Sequence, residues 1–307
     1  MTWTAHNMKR PHKAIPYGAI EAGGTKVLCD VGRRTGELLD HVTIPTRSPH
    51  DTLPDVIAFF RTHQVRSLGV ASFGPLDLDP THATYGALTN TPKVAWRGVN
   101  WFRFLTDSVK IPVTIETDVN AAILAEHAWG SAISVHTALY VTVGTGIGGG
   151  AMVAGRPLHG LMHPEMGHIG IHKLQRDVFP GLCPVHGDCL EGLASGPALS
   201  QRWHVTPDSL PAPHRGWSWE ADYLAQALAT YIYVLSPQRI VLGGGVMRHT
   251  LLFPAIRQRV VQLLQGYIER PELQLDKMDN YIVPAQLGSL TGLYGGLQLA
   301  ISSESSR

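Results

Sequence analysis

Short apolar runs separated by glycine-rich turns fill the chain from Tyr17 onward, and they alternate with segments whose apolar residues recur at helical spacing. Tyr17-Gly-Ala-Ile-Glu-Ala-Gly-Gly-Thr-Lys-Val-Leu-Cys-Asp-Val predicts a β-hairpin with its tip at Gly23-Gly24, and Glu37 to Ile44 supplies a third strand that completes a meander. Leu53, Val56, Ile57, Phe59 and Phe60 fall on one helical face between Thr52 and Thr62. Ser67-Leu-Gly-Val-Ala-Ser-Phe has the unbroken apolar character of a buried strand. Pro112 to Thr117 is a further strand that runs straight into a helix over Asp118 to Gly130, with Asp118 at its N-cap.

A second hairpin, Ala138-Leu-Tyr-Val-Thr-Val-Gly-Thr-Gly-Ile-Gly-Gly-Gly-Ala-Met-Val, repeats the design of the first. Two copies of one unit, each opening a long segment, predict a duplicated two-lobe α/β fold. Ile240-Val-Leu-Gly-Gly-Gly-Val-Met is a late strand ending in three glycines, preceded by a helix over Ala221 to Leu235. A last helix is expected over residues 291–301. The Pro- and Trp-rich stretch Thr206 to Trp219 reads as a surface loop, and Ser302 to Arg307 as a frayed tail.

Composition narrows the classes. The 307 residues fit two domains or one domain of two lobes, at roughly 150 residues per domain. Hydrophobic residues make up 44% and charged residues 16%, so a real core can be buried. A net charge of +1 offers no footprint for nucleic acid or an anionic membrane. Leu139 to Gly155, the longest uncharged stretch, is glycine-dominated and too short to span a bilayer. Residues 1–16 are polar and basic, lack an apolar signal region and are expected to form a disordered extension. Cys29, Cys183 and Cys189 are too few for a disulfide framework. A cytoplasmic globular enzyme is the expectation.

Three glycine-rich turns carry the first chemical signal: Gly23, Gly24 and Thr25 with Lys26, then Gly144, Thr145 and Gly146, then Gly243, Gly244 and Gly245. Without Cβ atoms such turns let backbone N–H groups close on phosphates. One alone is only a tight turn; three together fit an ATP site assembled from several loops. No Walker loop is present, and the Gly144 motif sits in a hairpin rather than opening a crossover helix. The second signal is Cys183-x2-His186-x2-Cys189, which with an upstream histidine (His163 or His168) makes a Cys2His2 set suited to tetrahedral zinc. Asp118, at a strand-to-helix step, could cap its helix or take a proton from an attacking hydroxyl.

Glu21-Ala-Gly-Gly-Thr-Lys, Thr117-Asp-Val-Asn-Ala-Ala, Val141-Thr-Val-Gly-Thr-Gly-Ile-Gly-Gly-Gly and Val241-Leu-Gly-Gly-Gly-Val-Met follow in the order of the ROK sugar kinases, which the chain resembles from about Tyr17 to Ala300. His163-Pro-Glu-Met-Gly-His and Cys183-Pro-Val-His-Gly-Asp-Cys-Leu-Glu-Gly-Leu-Ala-Ser-Gly-Pro resemble the bacterial ROK fructokinases in particular. The resemblance implies the two-lobe hexokinase/actin-like (ribonuclease H-like) ATPase fold. Its small lobe would cover residues 17–117, joined by the returning C-terminal helix. The large lobe would cover 118–290, with a zinc loop at 163–191 and an adenosine motif at 240–247.

The implied activity is ATP-dependent phosphorylation of D-fructose to fructose 6-phosphate, with Mg²⁺ accompanying ATP and one structural Zn²⁺. Asp118 would be the base and Glu21 the residue near magnesium, where most of the superfamily carries aspartate. Gly74, Pro75, Thr91, Pro92, Asn120, Glu165 and Glu191 would form the sugar site, and His168, Cys183, His186 and Cys189 the zinc site. Asn120 either assists at the site or buttresses its loop, and Lys26 is either near the phosphates or a solvated charge. Two departures stand out: Thr117 replaces the usual sugar-facing Asn, and Lys93 stands where Asn is commoner. The loss of an amide at Thr117 fits fructose better than glucose. A homodimer is expected. Mannose, glucose or N-acetylmannosamine are the rival substrates. A sugar-sensing repressor or an actin-like assembly protein are the rivals from other classes, though only sixteen residues precede the first strand.

Overall fold

The computed structural model describes residues 15–304, so residues 1–14 of the expected extension and 305–307 of the expected tail lie outside the described residues. The first lobe opens with a meander: β1 (Tyr17–Ala22), β2 (Lys26–Gly32) and β3 (Leu38–Pro45). Helix α1 (Pro49–Arg61), strand β4 (Leu68–Ser72), helix α2 (Trp101–Val109) and strand β5 (Val113–Thr117) follow. The sheet order is β3-β2-β1-β4-β5, with β1 antiparallel to β2 and parallel to β4.

After α3 (Asp118–Trp129) the plan is repeated. Strands β6 (Ala138–Val143) and β7 (Ile147–Val153) form the second hairpin, and β8 (Arg156–Pro157) is a stub of a third strand. Helices α4 (Leu190–Ala194), α5 (Gly196–Trp203) and α6 (Arg215–Leu235) lead to β9 (Arg239–Gly243), and α7 (Leu252–Leu264) and α8 (Met278–Tyr281) to β10 (Ile282–Pro284). Helix α9 (Thr291–Ser302) ends the described chain. The second sheet runs β8-β7-β6-β9-β10, which is the order of the first strand for strand. This identity of topology bears out the duplication expected from the two hairpins.

The helices that follow the two final strands pack on each other. Helix α9 also lies on β1 and β4 of the first sheet, and α3 on β6 and β7 of the second. Small residues make the approach possible: a methyl group on Gly150 would stand 2.2 Å from the Val119 carbonyl oxygen, so β7 and α3 meet backbone to backbone. Large apolar clusters fill each half, one around Ile20, Val70, Trp96 and Trp101, the other around Leu139, Leu190, Leu228 and Ile256.

Three local expectations are corrected. The N-cap of α3 is Thr117, not Asp118: Thr117 is extended (φ −63°, ψ 150°) and its hydroxyl accepts the Asn120 N–H at 3.2 Å. Asp118 is therefore the first helical residue. The stretch Thr206 to Trp219 is only partly a loop, since α6 begins at Arg215 and buries Trp217. The tail is held at least as far as Glu304, whose carboxylate accepts from Tyr17 Oη at 2.9 Å and Arg66 at 3.1 Å. No helix among the described residues is long and apolar enough to cross a membrane.

Candidate active site

The β6–β7 turn and the turn after β9 are built against each other. Gly144 N–H closes the hairpin on the Gly146 carbonyl at 2.9 Å, while Gly196 N–H at the start of α5 donates to the Gly144 carbonyl at 2.8 Å. Gly244 has φ +91°, and a methyl group on it would stand 2.4 Å from the Val143 carbonyl oxygen, so only glycine serves there. Beyond this turn lies a hollow of about 320 Å³ lined by Leu210, Trp217, Arg248, His249 and Leu252. The β1–β2 turn is closed by Gly23 N–H on the Lys26 carbonyl at 2.9 Å. The end of the Lys93 side chain reaches this turn, since a methyl on Gly24 would lie 3.3 Å from Lys93 Cε.

Four carboxylates link these turns. Glu21, at the end of β1, faces the first turn of α9, and burial followed by the charge of Asp118 pushes its pKa up to about 7. Lys26, itself exposed, exerts a weaker opposing field. Glu21 Oε2 is enclosed with no hydrogen-bond partner among the described residues. Asp118 accepts the Val119 N–H at 2.9 Å, and burial raises its pKa to about 6. Glu165, whose side chain keeps a solvent-facing part, is pushed up to about 7, chiefly by partial desolvation and then by Asp118 and Glu191. Glu191 Oε2 accepts the Ile147 N–H at 2.9 Å and so fastens α4 to the β6–β7 turn. Glu21, Asp118 and Glu165, clustered carboxylates with raised pKa values, make the pattern of a site that handles protons or cations.

The other expected sugar-side residues divide. Gly74 and Pro75, joined by a cis peptide bond, border the cleft next to His163, and Pro92 is exposed beside them in the same lobe. Thr91 is fully enclosed, its hydroxyl accepting the Lys93 N–H at 3.4 Å, so its side chain does not reach the cleft surface. Asn120 is equally enclosed and donates from Nδ2 to Glu116 Oε1 at 3.1 Å. Of its two readings, buttressing is the one its contacts express.

His168, Cys183, His186 and Cys189 bring one ligand atom each into a group in which all lie within 4.8 Å of one another. Sγ of Cys183 is 3.7 Å from Nδ1 of both His168 and His186, and Sγ of Cys189 is 3.6 Å from Nδ1 of His168. A sulfur and a nitrogen bound to one tetrahedral zinc are separated by about 3.6 Å, from bond lengths of about 2.3 and 2.05 Å. A knuckle sets the loop: Cys183 and Gly187 exchange backbone hydrogen bonds at 3.1 and 3.0 Å, and Gly187 turns back at φ +64°. His163 stands outside this group.

A two-sheet fold with this order of turns and carboxylates can be set against known proteins. The model of the ROK family matches residues 17–303. The chain belongs to the ROK family. A protein of Bacillus subtilis (strain 168) is 48% identical over 283 residues, covering 92% of this chain and 94% of its own length. The fructokinase of Pediococcus pentosaceus is 41% identical over 283 residues, covering 92% of this chain and 96% of its own length. Among solved structures, a ROK family glucokinase from Streptomyces griseus in complex with glucose and AMPPNP superposes with a TM-score of 0.74 at 25% identity, over 94% of this chain and 99% of its own.

The ROK motifs gave no sign of two polar residues of this cleft, Glu116 and His159. Glu116 is buried, and its two oxygens take Thr117 N–H and Asn120 on one side and His159 on the other. Lys93 reaches the β1–β2 turn, a contact between residues far apart in sequence. The Thr91-Pro92-Lys93 string had already marked this wall, but not the reach of Lys93 to the turn.

Proposed function

We propose that the chain is a ROK fructokinase, which transfers the γ-phosphoryl group of ATP to the 6-hydroxyl of D-fructose. The observation that carries this reading is the convergence of Asp118 with Glu165 and Glu191 beside glycine turns, in a chain 41% identical to a fructokinase along nearly its whole length. Asp118 accepts the proton of the 6-hydroxyl as its oxygen attacks the γ-phosphorus and ADP departs. A raised pKa suits that task, because a base near neutrality takes a hydroxyl proton more readily than an ordinary aspartate.

Glu165 and the free oxygen of Glu191 accept hydroxyls of the sugar, with Gly74, Pro75 and Pro92 on the facing wall and Thr91 and Asn120 shaping it from behind. The turns at Gly23–Lys26, Gly144–Gly146 and Gly243–Gly245 hold the nucleotide phosphates, and the hollow beside Trp217 takes the base. The AMPPNP complex of the Streptomyces griseus neighbour supports a nucleotide site in this fold. The enclosed, unpartnered oxygen of Glu21 fits Mg²⁺ held through water, and the ion supplies charge neutralisation at the phosphates. The Cys2His2 group fits a structural zinc with every position filled by protein, fixing the loop that carries Glu165 and Glu191. The lobes divide as 17–117 with the returning C-terminal helix, and 118–290. The expected working form is a cytoplasmic homodimer.

Asp118→Asn tests the base. Fructose and ATP binding should persist while turnover falls by at least about 10²-fold, as loss of a general base requires. Near-normal turnover in the variant contradicts the assignment.

A further inference from the structure

The segment between β8 and the metal group carries two histidines that the reaction above does not use. Both reach across to the first lobe. His159 Nε2 is 2.7 Å from Glu116 Oε2, at the carboxyl end of β5. His163 Nε2 accepts the Leu76 N–H at 3.0 Å, just beyond β4. Between them Leu161 and Met162 stand out in solvent, so the segment grips at its two histidines and bulges in the middle. We infer that His159 and His163 form a cross-lobe clasp that closes the sugar end of the cleft, with His163 as a positioning residue for Glu165.

The chemistry of the His163 ring supports its positioning role. A ring nitrogen that accepts a backbone N–H carries no proton, so the one ring proton of the neutral form sits on Nδ1. That nitrogen faces Glu165 Oε1 at 3.5 Å. Burial, the largest influence, lowers the His163 pKa and favours this neutral form. The ring thus bonds a backbone amide of one lobe and faces a sugar-side carboxylate of the other. An amide side chain offers its donor and acceptor at one end only and cannot span both contacts.

The Glu116 half of the clasp works from below the base. Glu116 Oε1 accepts Thr117 N–H at 2.8 Å and Asn120 Nδ2–H at 3.1 Å, bracing the turn that presents Asp118. The other oxygen of the same carboxylate holds His159. Closing the sugar end and bracing the base therefore share one side chain. This consequence rests on the kinase reading; the clasp itself does not.

Hydrogen exchange of the full-length protein tests the clasp without substrate. Pro75 has no amide, so the Leu76 amide is a clean reporter of the His163 bond. In His163→Ala the Leu76 amide should exchange about 10-fold faster, while amides of the metal loop keep wild-type rates and metal content is unchanged. The KM for fructose should rise about 10-fold in His163→Ala and in His159→Ala, with the KM for ATP within about 2-fold of wild type. His163→Gln, which keeps an acceptor for Leu76 but not the link to Glu165, should restore Leu76 protection without restoring the fructose KM. Unchanged Leu76 exchange, unchanged fructose KM or an equal rise in both KM values each overturns the inference. A chain that prefers another hexose yet shows the Leu76 result loses the fructose assignment and keeps the clasp.

Discussion

Glu21 and Gly292 form a pair whose coupling can be measured. A methyl group on Gly292, in the first turn of α9, would stand 2.6 Å from Glu21 Cδ and 2.8 Å from Oε1. The obstructing atoms are the end of a flexible side chain, so in Gly292→Ala the carboxylate is displaced rather than the backbone. Overpacking costs about 1–3 kcal/mol. Alanine offsets up to about 1 kcal/mol of this through helix propensity. The net cost is then about 0–2 kcal/mol, and melting should drop by no more than about 8 °C, at roughly 2–4 °C per kcal/mol for chains of about 150–250 residues. The functional effect should be larger. A carboxylate moved off its place beside Asp118 raises the Mg²⁺ concentration needed for half-maximal activity and lowers kcat, by about 10-fold for each 1.4 kcal/mol of lost positioning. Glu21→Asp retracts the carboxylate by about one C–C bond, roughly 1.5 Å, and opens room for the methyl. The double variant should recover much of what Gly292→Ala loses, with a coupling of about 0.5–3 kcal/mol. Steady-state rates across a Mg²⁺ titration for the four proteins of the cycle decide it. Additive effects, or a Gly292→Ala protein with wild-type Mg²⁺ dependence, refute the pinned carboxylate.

Two further outcomes are expected. Elemental analysis should find about one zinc per chain, and Cys189→Ser should lose both the metal and thermal stability; metal-free wild-type protein with unchanged melting removes the zinc argument. The pH profile of kcat/KM should show an acidic limb near 6, because Asp118 works as a base only when ionised and its pKa is raised to about 6. Activity then falls as pH drops through that value, with protonation of Glu21 and Glu165 near 7 adding to the upper part of the limb, whereas a profile flat through pH 6 contradicts the base.

Local patterning made the two hairpins, their glycine tips and the strand-to-helix step at Asp118 legible, since each is written in consecutive residues. The Cys-x2-His-x2-Cys knuckle was legible for the same reason. The N-cap was misplaced by one residue because Thr117 and Asp118 are both good caps, and only the extended backbone at Thr117 decides between them. The start of α6 was hidden by Pro211, Pro213 and Gly216 in a stretch that also carries two tryptophans, Trp217 and Trp219. Helix α2 escaped notice because its nine residues are short for a periodic signal. The clasp contacts were beyond reach for another reason. His159 meets Glu116 across 43 positions and His163 meets Leu76 across 87, and both pairs exist only once the lobes are apposed. Asn120 was legible as a motif residue, but its inward orientation follows from buried Glu116, whose partners no local pattern specifies.

The central claim is tested most directly by coupled ADP-release kinetics of the wild-type protein with D-fructose, D-mannose and D-glucose at saturating Mg-ATP. A site that lacks a buried amide at Thr117 should penalise a sugar relying on that hydrogen bond by about 1–3 kcal/mol, or about 5- to 150-fold. The predicted order of kcat/KM is fructose, then mannose, then glucose. Hexose-independent ADP release, or a preference for glucose over fructose, would contradict the account.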